Sequence, residues 1–226
     1  PYWKAALGGA FAIIIVKQLF GGLGQNFMNP ALGARCFLML SFAGNMTAFF
    51  PTDVNGVDAA TSATPLTALK NMGESSSSLL DMFLGNHSGT IGETSIIALL
   101  VGALYLTIRK IIDLRIPITY ILVFAVCIML FQGSTDMEFL CMHLCGGGLI
   151  FGAFFMATDY ATSPITKSGR YIFGICLGVL TAVFRTFGNT AEGVSYAIIF
   201  CNLLVPLIEK WSIPKAFGVV KTKGGK

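Results

Sequence analysis

Apolar residues come in long blocks separated by short polar clusters, and the block length is the first structural signal. Runs cover 5–20, 94–108, 116–131, 146–158, 171–184 and 193–208. A helix rising 1.5 Å per residue needs roughly 20 residues, and at least about 17, to cross the hydrocarbon of a bilayer. The run 116–131 is the clearest span; others reach full length only with polar or Gly-rich flanks, so broken or tilted helices are expected. Two break signals sharpen this. Asn29-Pro30 opens the segment 31–42, and Gly146-Gly147-Gly148 interrupts the span that ends before Asp159. The predicted fold is an all-α polytopic membrane bundle containing half-helices.

Composition agrees: 54% of residues are apolar and 12% charged, and mean hydropathy is +0.75, outside the usual range for soluble domains. The net charge of +4 sits in clusters at segment ends with no interleaved basic face, which excludes nucleic acid as a partner and leaves membrane lipids. Cys36, Cys127, Cys141, Cys145, Cys176 and Cys201 fall almost entirely inside apolar runs, where a thiol behaves as a small hydrophobe, so no structural disulfide is predicted. The opening Pro1-Tyr2-Trp3-Lys4 has neither an initiator Met nor a signal-peptide pattern, and an N-terminally incomplete chain is expected.

Charge also orients the chain. Arg109, Lys110 and Arg115 crowd one tight turn, and Lys210, Lys215, Lys221, Lys223 and Lys226 follow the last span. The positive-inside rule makes both cytoplasmic. Spans at 116–131, 138–158, 171–185 and 193–208 connect them with an even number of crossings. The segment 159–170 then lies inside and the polar stretch 45–93 outside. That stretch is too long for a mere connector, and Ser75–Ser78 is expected to be its mobile part.

The chemistry lies in a repeated phrase. Asp58-Ala59-Ala60-Thr61-Ser62-Ala63-Thr64-Pro65-Leu66-Thr67 in the outer stretch is matched, two residues shorter, by Asp159-Tyr160-Ala161-Thr162-Ser163-Pro164-Ile165-Thr166 in the inner one. One sequence pattern on opposite membrane faces describes an inverted-topology repeat, 1–115 and 116–209 with a basic tail 210–226. Such repeats build sites between their halves from discontinuous helices. The plain alternative is helix capping by Asp, Ser and Thr ahead of a proline.

At these residues the chain resembles a known family. Asp58 to Thr64 is similar to the D-x-x-[ST]-[GS]-A-[ST] acceptor of extracytoplasmic flavin transferases. The segments 17–24, Asn29-Pro30-Ala31, 152–159, Phe187-Gly188 and Glu192-Gly193 resemble the RnfD and NqrB membrane flavoprotein subunits, closer to RnfD, over the first residue to Glu209. The resemblance implies a urea-transporter-like inverted-repeat bundle in the bacterial inner membrane, carrying FMN on Thr64 through a phosphoester. Asp58 would aid transfer or organise the turn, Thr61 and Ser62 would offer hydrogen bonds beside Ala63, and Pro65 would set the backbone. It further implies electron transfer between ferredoxin and NAD coupled to Na+ or H+ movement, with RnfA, RnfB, RnfC, RnfE and RnfG as partners and a flavin transferase in maturation. By analogy with NqrB, a second, noncovalent flavin (riboflavin) would lie near Asp159, Thr162 and Ser163.

Ionisable residues inside a membrane are costly and usually functional, which singles out Lys17, Arg35, Asp159, Arg185 and Glu192. Arg35 and Lys17 are candidate phosphate or ion partners, with a structural ion pair as the alternative for Arg35. Cys141, His143 and Cys145 do not make a metal site, because His143 points away from the face the two cysteines share. His87 is expected to be solvated, and Phe151, Phe154 and Phe155 to pack core or lipid. Rival readings are an NqrB-type subunit and a passive channel, since half-helices and inverted repeats also build pores.

Overall fold

The computed structural model describes residues 2–22, 24–46, 65–72, 78–87, 89–90, 92–133, 136–188 and 193–214. Asp58, Thr61, Ser62, Ala63, Thr64 and Glu192 lie outside these residues, as do Ser75–Ser77 and the basic tail from 215. The described residues are helical and contain no strand. Helix α1 (Tyr2–Ala10) continues as a π-helical stretch, Phe11–Gln18. Then come α2 (Pro30–Ser41), α3 (Ala43–Met46), α4 (Pro65–Met72), α5 (Leu79–Leu84), α6 (Ile96–Ile108), α7 (Arg115–Gln132) and α8 (Met137–Cys145). Helix α9 (Leu149–Phe151) continues as a π-helix, Gly152–Met156, and α10 (Lys167–Phe187) and α11 (Val194–Ser212) complete the order.

Three helices, α7, α10 and α11, are long and apolar enough to cross a membrane, and α8 with α9 forms a fourth span bent by 60°. These are the four predicted spans, and the bend falls at the glycine run: Gly147 and Gly148 adopt φ of +65° and +64°, a left-handed conformation open to glycine at little cost. The chain is an all-α, multi-pass membrane protein. Helix α2 starts where Asn29-Pro30 predicts. The Asn29 side chain accepts from the N–H groups of Ala31 (3.0 Å) and Leu32 (3.4 Å), with proline in the first turn, where its missing donor costs nothing. At twelve residues α2 is too short to span, and α6 has thirteen.

The core lies between α7, α10 and α11, where Tyr120, Phe124, Phe173, Leu177, Ile198 and Cys201 are fully buried. Gly174 and Gly178 set the distance between α7 and α10. A Cβ on Gly178 would stand 2.8 Å from the Val123 side chain and 2.9 Å from the Phe124 backbone nitrogen, so the two helices approach as closely as membrane helices with paired small residues do. Inside this contact the hydroxyls of Tyr120 and Thr181 are 2.6 Å apart and fully buried. The opposite flank of α7 exposes Ile118, Leu122, Val126 and Leu130, one face at helical spacing, suited to lipid.

Two expectations change. Ser78 is a helix cap, its hydroxyl oxygen accepting from the Asp81 N–H, because the segment beyond it forms α5. His87 is half-buried and its Nδ1 has no partner. Burial lowers its pKa, against the opposing effects of the Asp81 backbone and charge.

Candidate functional site

Helix α4 begins at Pro65, one residue after Thr64, and carries Leu66 and Leu69 into the protein, 3% and 8% exposed. Lys70 projects to the end of α10, where its Nζ donates to the carbonyls of Arg185 (2.9 Å) and Gly188. A cation at the last carbonyls of a helix satisfies acceptors that have no partner within the helix.

Arg185, in the last turn of α10, is 2% exposed. Its guanidinium donates to the carbonyls of His143, Gly146 (2.9 Å) and Gly147 (3.2 Å) and lies 4.9 Å from the centroid of the Phe124 ring. The break after α8 frees these carbonyls, and Arg185 supplies their donors. A cavity of about 280 Å³ opens beside it, lined by Leu66 and Leu69 of α4, Phe139 and His143 of α8, and Arg185 and Thr186 of α10. His143 is 5% exposed, and both its Nδ1 and the Thr186 Oγ1 are buried without a hydrogen-bond partner.

Arg35 makes the structural ion pair: its Nη1 lies 2.8 Å from Glu93 Oε1, with side chains 19% and 11% exposed. Glu93 sits in the connection before α6 and presses on the α8 break, 2.8 Å from where a Cβ of Gly148 would stand. Lys17, at the end of the π-helical stretch after α1, is half-buried and has no ion-pair partner among the described residues.

The second copy of the phrase forms a compact turn. Asp159 Oδ1 accepts from the Ala161 N–H (3.3 Å) and Oδ2 from the Thr162 hydroxyl (3.1 Å), so this carboxylate organises its own loop. Thr162 and Ser163 are 5% and 9% exposed. Thr166 caps α10 by accepting from the Gly169 N–H at 3.0 Å. Ser163 lines a second cavity of about 490 Å³, together with Thr107, Lys110, Asp113, Tyr160 and Arg170. The structure thus places Ser163 at a cavity, while Asp159 and Thr162 hold the turn behind it. Beside this cavity Asp113 accepts from Arg115 (2.8 Å) and Arg170 (2.5 Å). Burial alone would raise its carboxyl pKa; the hydrogen bonds and charges of the two arginines outweigh that and hold it below the usual value.

Sequence reasoning passed over Glu93 and Thr186 and weighed His143 only as a metal ligand. Among the described residues no group of histidine, cysteine and carboxylate side chains is placed to hold a metal. The one available signal for His143 was a basic side chain in an apolar run, the same that flagged Arg35 and Arg185.

Residues 1–218 match the model of the NQR2, RnfD, RnfE family. The chain belongs to that family. It is 47% identical, over 99% of its length and 69% of the relative's, to the D subunit of the Na(+)-translocating ferredoxin:NAD(+) oxidoreductase complex of Acetobacterium woodii. It is 42% identical, over 96% of its length and 69% of the relative's, to the D subunit of the proton-translocating ferredoxin:NAD(+) oxidoreductase complex of Clostridium ljungdahlii. The D subunit of the ion-translocating oxidoreductase complex of Stutzerimonas stutzeri is 38% identical over 96% of this chain and 71% of its own. For a chain of this family the cavity beside α4 and the turn at Asp159 are the two places where the repeated phrase meets buried polar groups.

Proposed function

We propose that the chain is the D subunit of a membrane complex that passes electrons between ferredoxin and NAD and couples the transfer to movement of a cation, with FMN joined to Thr64 through a phosphoester. The observation that carries this is 47% and 42% identity, across almost the whole chain, to subunits named for that reaction. The acceptor sequence Asp58 to Thr64 supports the flavin.

The described residues fit such a group. A phosphoester on the residue preceding Pro65 would bring its negative charge to the N-terminal end of α4, where the helix dipole favours an anion. The buried Nδ1 of His143 and Oγ1 of Thr186 near that helix await partners. When bound, the flavin supplies the redox chemistry. The chain supplies position, since a tethered ring loses no translational freedom at each turnover, together with a wall of Leu66, Leu69 and Phe139 against water.

On this reading Asp58, Thr61, Ser62, Ala63 and Pro65 form the acceptor loop on the extracytoplasmic face. Residues 1–115 and 116–209 are the inverted halves, and the basic tail 210–226 faces the cytoplasm of a bacterial cell. A noncovalent flavin would occupy the cavity at Ser163, behind which Asp159 and Thr162 hold the turn. The electron and ion partners are RnfA, RnfB, RnfC, RnfE and RnfG, and a flavin transferase acts in maturation. The test is direct: express the subunit with a flavin transferase, denature it in SDS, and compare in-gel flavin fluorescence and intact mass for wild type and Thr64→Ala. A fluorescent wild-type band carrying the mass of one FMN, dark in the variant, is expected. A dark wild type removes the flavin reading and favours a passive channel.

A further inference from the structure

We infer that the mouth of the cavity between the α6–α7 turn and the start of α10 binds the phosphate of an anionic phospholipid. Lys110 and Arg170 are its donors, and the exposed face of α6 is the bed for an acyl chain. The inference does not depend on any flavin.

The cavity, about 490 Å³ in volume, has a closed end and an open one. Ile116 and Ser163 on its lining are 2% and 9% exposed, whereas Ile111 and Tyr160 are 62% and 90% exposed. A lipid headgroup arriving along the membrane surface meets the open end, and does not compete with a group held at the buried Ser163.

That open end is positive and has donors to spare. Lys110, Asp113 and Arg170 line the cavity, and Asp113 accepts from both Arg115 (2.8 Å) and Arg170 (2.5 Å). Three cations therefore stand against one carboxylate. Arg170 also donates from Nε to the Pro164 carbonyl at 3.1 Å, which leaves its Nη2 without an acceptor among the described residues. Lys110 has no ion-pair partner among them either. A phosphate oxygen accepts charge-assisted hydrogen bonds from both kinds of donor.

The backbone at Lys110 points the same way. It is the one non-glycine residue with positive φ among those described, at +54°. Its N–H donates to the Thr107 carbonyl (2.9 Å), and the Ile111 N–H to the Leu106 carbonyl (3.0 Å). These paired bonds close a helix at a left-handed residue that is usually glycine, because a Cβ is disfavoured there. Lysine in that place supplies what glycine cannot, a cation on the cavity lining.

The apolar surroundings choose the source of the phosphate. Ile108, Leu104 and Val101 succeed one another along one face of α6 beneath Ile111, all of them exposed. A free phosphate makes no use of this strip, and an acidic protein surface matches the charge but not the apolar face. A phospholipid uses both. On the proposed orientation the mouth lies at the cytoplasmic leaflet, where basic pockets between spans hold anionic headgroups.

The test uses the full-length protein purified in its complex, as wild type, Lys110→Gly and Arg170→Gln. Each is titrated in detergent with phosphatidylglycerol or phosphatidylcholine, bound lipid being read by native mass spectrometry. Phosphatidylglycerol affinity should fall about fivefold in Lys110→Gly, the loss expected for one basic contact at the surface, and should fall in Arg170→Gln as well. Phosphatidylcholine should not distinguish the proteins. Lys110→Gly removes the left-handed strain along with the charge, so its lipid-free melting temperature should match or exceed that of wild type. This keeps the proposal falsifiable if Arg170→Gln does not assemble. A change of less than twofold in Lys110→Gly, or an equal loss for phosphatidylcholine, overturns the site. Thermal stabilisation by millimolar inorganic phosphate as large as that by phosphatidylglycerol overturns the lipid in favour of a free phosphate.

Discussion

Removing Arg35 while leaving Glu93 in place should be among the most destabilising single changes in this chain. The Glu93 side chain is 11% exposed, its guanidinium partner is 2.8 Å away, and it lies against Gly148, 2.8 Å from where a Cβ there would stand. Losing one member of a buried pair costs about 3–5 kcal/mol, because the other charge stays desolvated. Residual exposure of both side chains puts Arg35→Leu near the lower limit, about 3 kcal/mol. At roughly 2–4 °C per kcal/mol for a chain of this size, the melting temperature of the purified protein in detergent should fall by about 6–12 °C. Arg35→Leu/Glu93→Gln removes both charges and should recover at least half of that loss, since replacing a buried pair by neutral groups is often close to neutral. Thermal unfolding of wild type, the two single variants and the double variant forms a cycle. A coupling energy under about 0.5 kcal/mol, the level found for independent sites, would refute the claim that this pair holds α2 to the α8 break.

Three further outcomes follow from the packing. Tyr120→Phe strands the Thr181 hydroxyl in the core and should cost about 1–3 kcal/mol in denaturant titration, with Tyr120→Phe/Thr181→Val regaining part of it. Gly178→Ala drives a methyl into Val123 and the Phe124 backbone. It should cost about 1–3 kcal/mol, and Val123→Ala should relieve only the side-chain part in the same assay. His87 has a pKa held below its ordinary 6.5 by burial, so below about pH 6.5 the unfolded chain takes up a proton that the folded one refuses. The stability linked to this residue is complete above that pH and declines as pH falls toward the folded value. Melting temperatures between pH 7 and pH 5 should therefore decline less in His87→Gln than in wild type.

The parts of this architecture visible in the sequence are local ones. Asn29-Pro30 starts a helix because a side-chain acceptor and a residue lacking an N–H suit a helix start and little else. Gly147 and Gly148 break the span at a left-handed turn that other residues resist. The four long spans follow from run length, and the turn at Asp159 from Asx chemistry between residues two and three apart. Arg35, His143 and Arg185 could be flagged as costly in an apolar setting, but their partners could not be named. Arg35 finds Glu93 58 positions later, and Arg185 finds the His143 carbonyl 42 positions earlier.

The close approach at Gly174 and Gly178 has a recognisable small-residue spacing, yet only the packed helices decide that α7 is its partner. The reason is the solvent. In water, hydrophobic periodicity tells which face of a helix turns inward; in a bilayer, lipid and core are equally apolar, and that distinction largely disappears. Sequence by itself therefore determined where the chain crosses, where it breaks and which phrase it repeats. Only the tertiary structure decided which faces meet, and so which buried polar groups, at His143, Thr186, Arg35 and Glu93, are brought to one cavity or one ion pair.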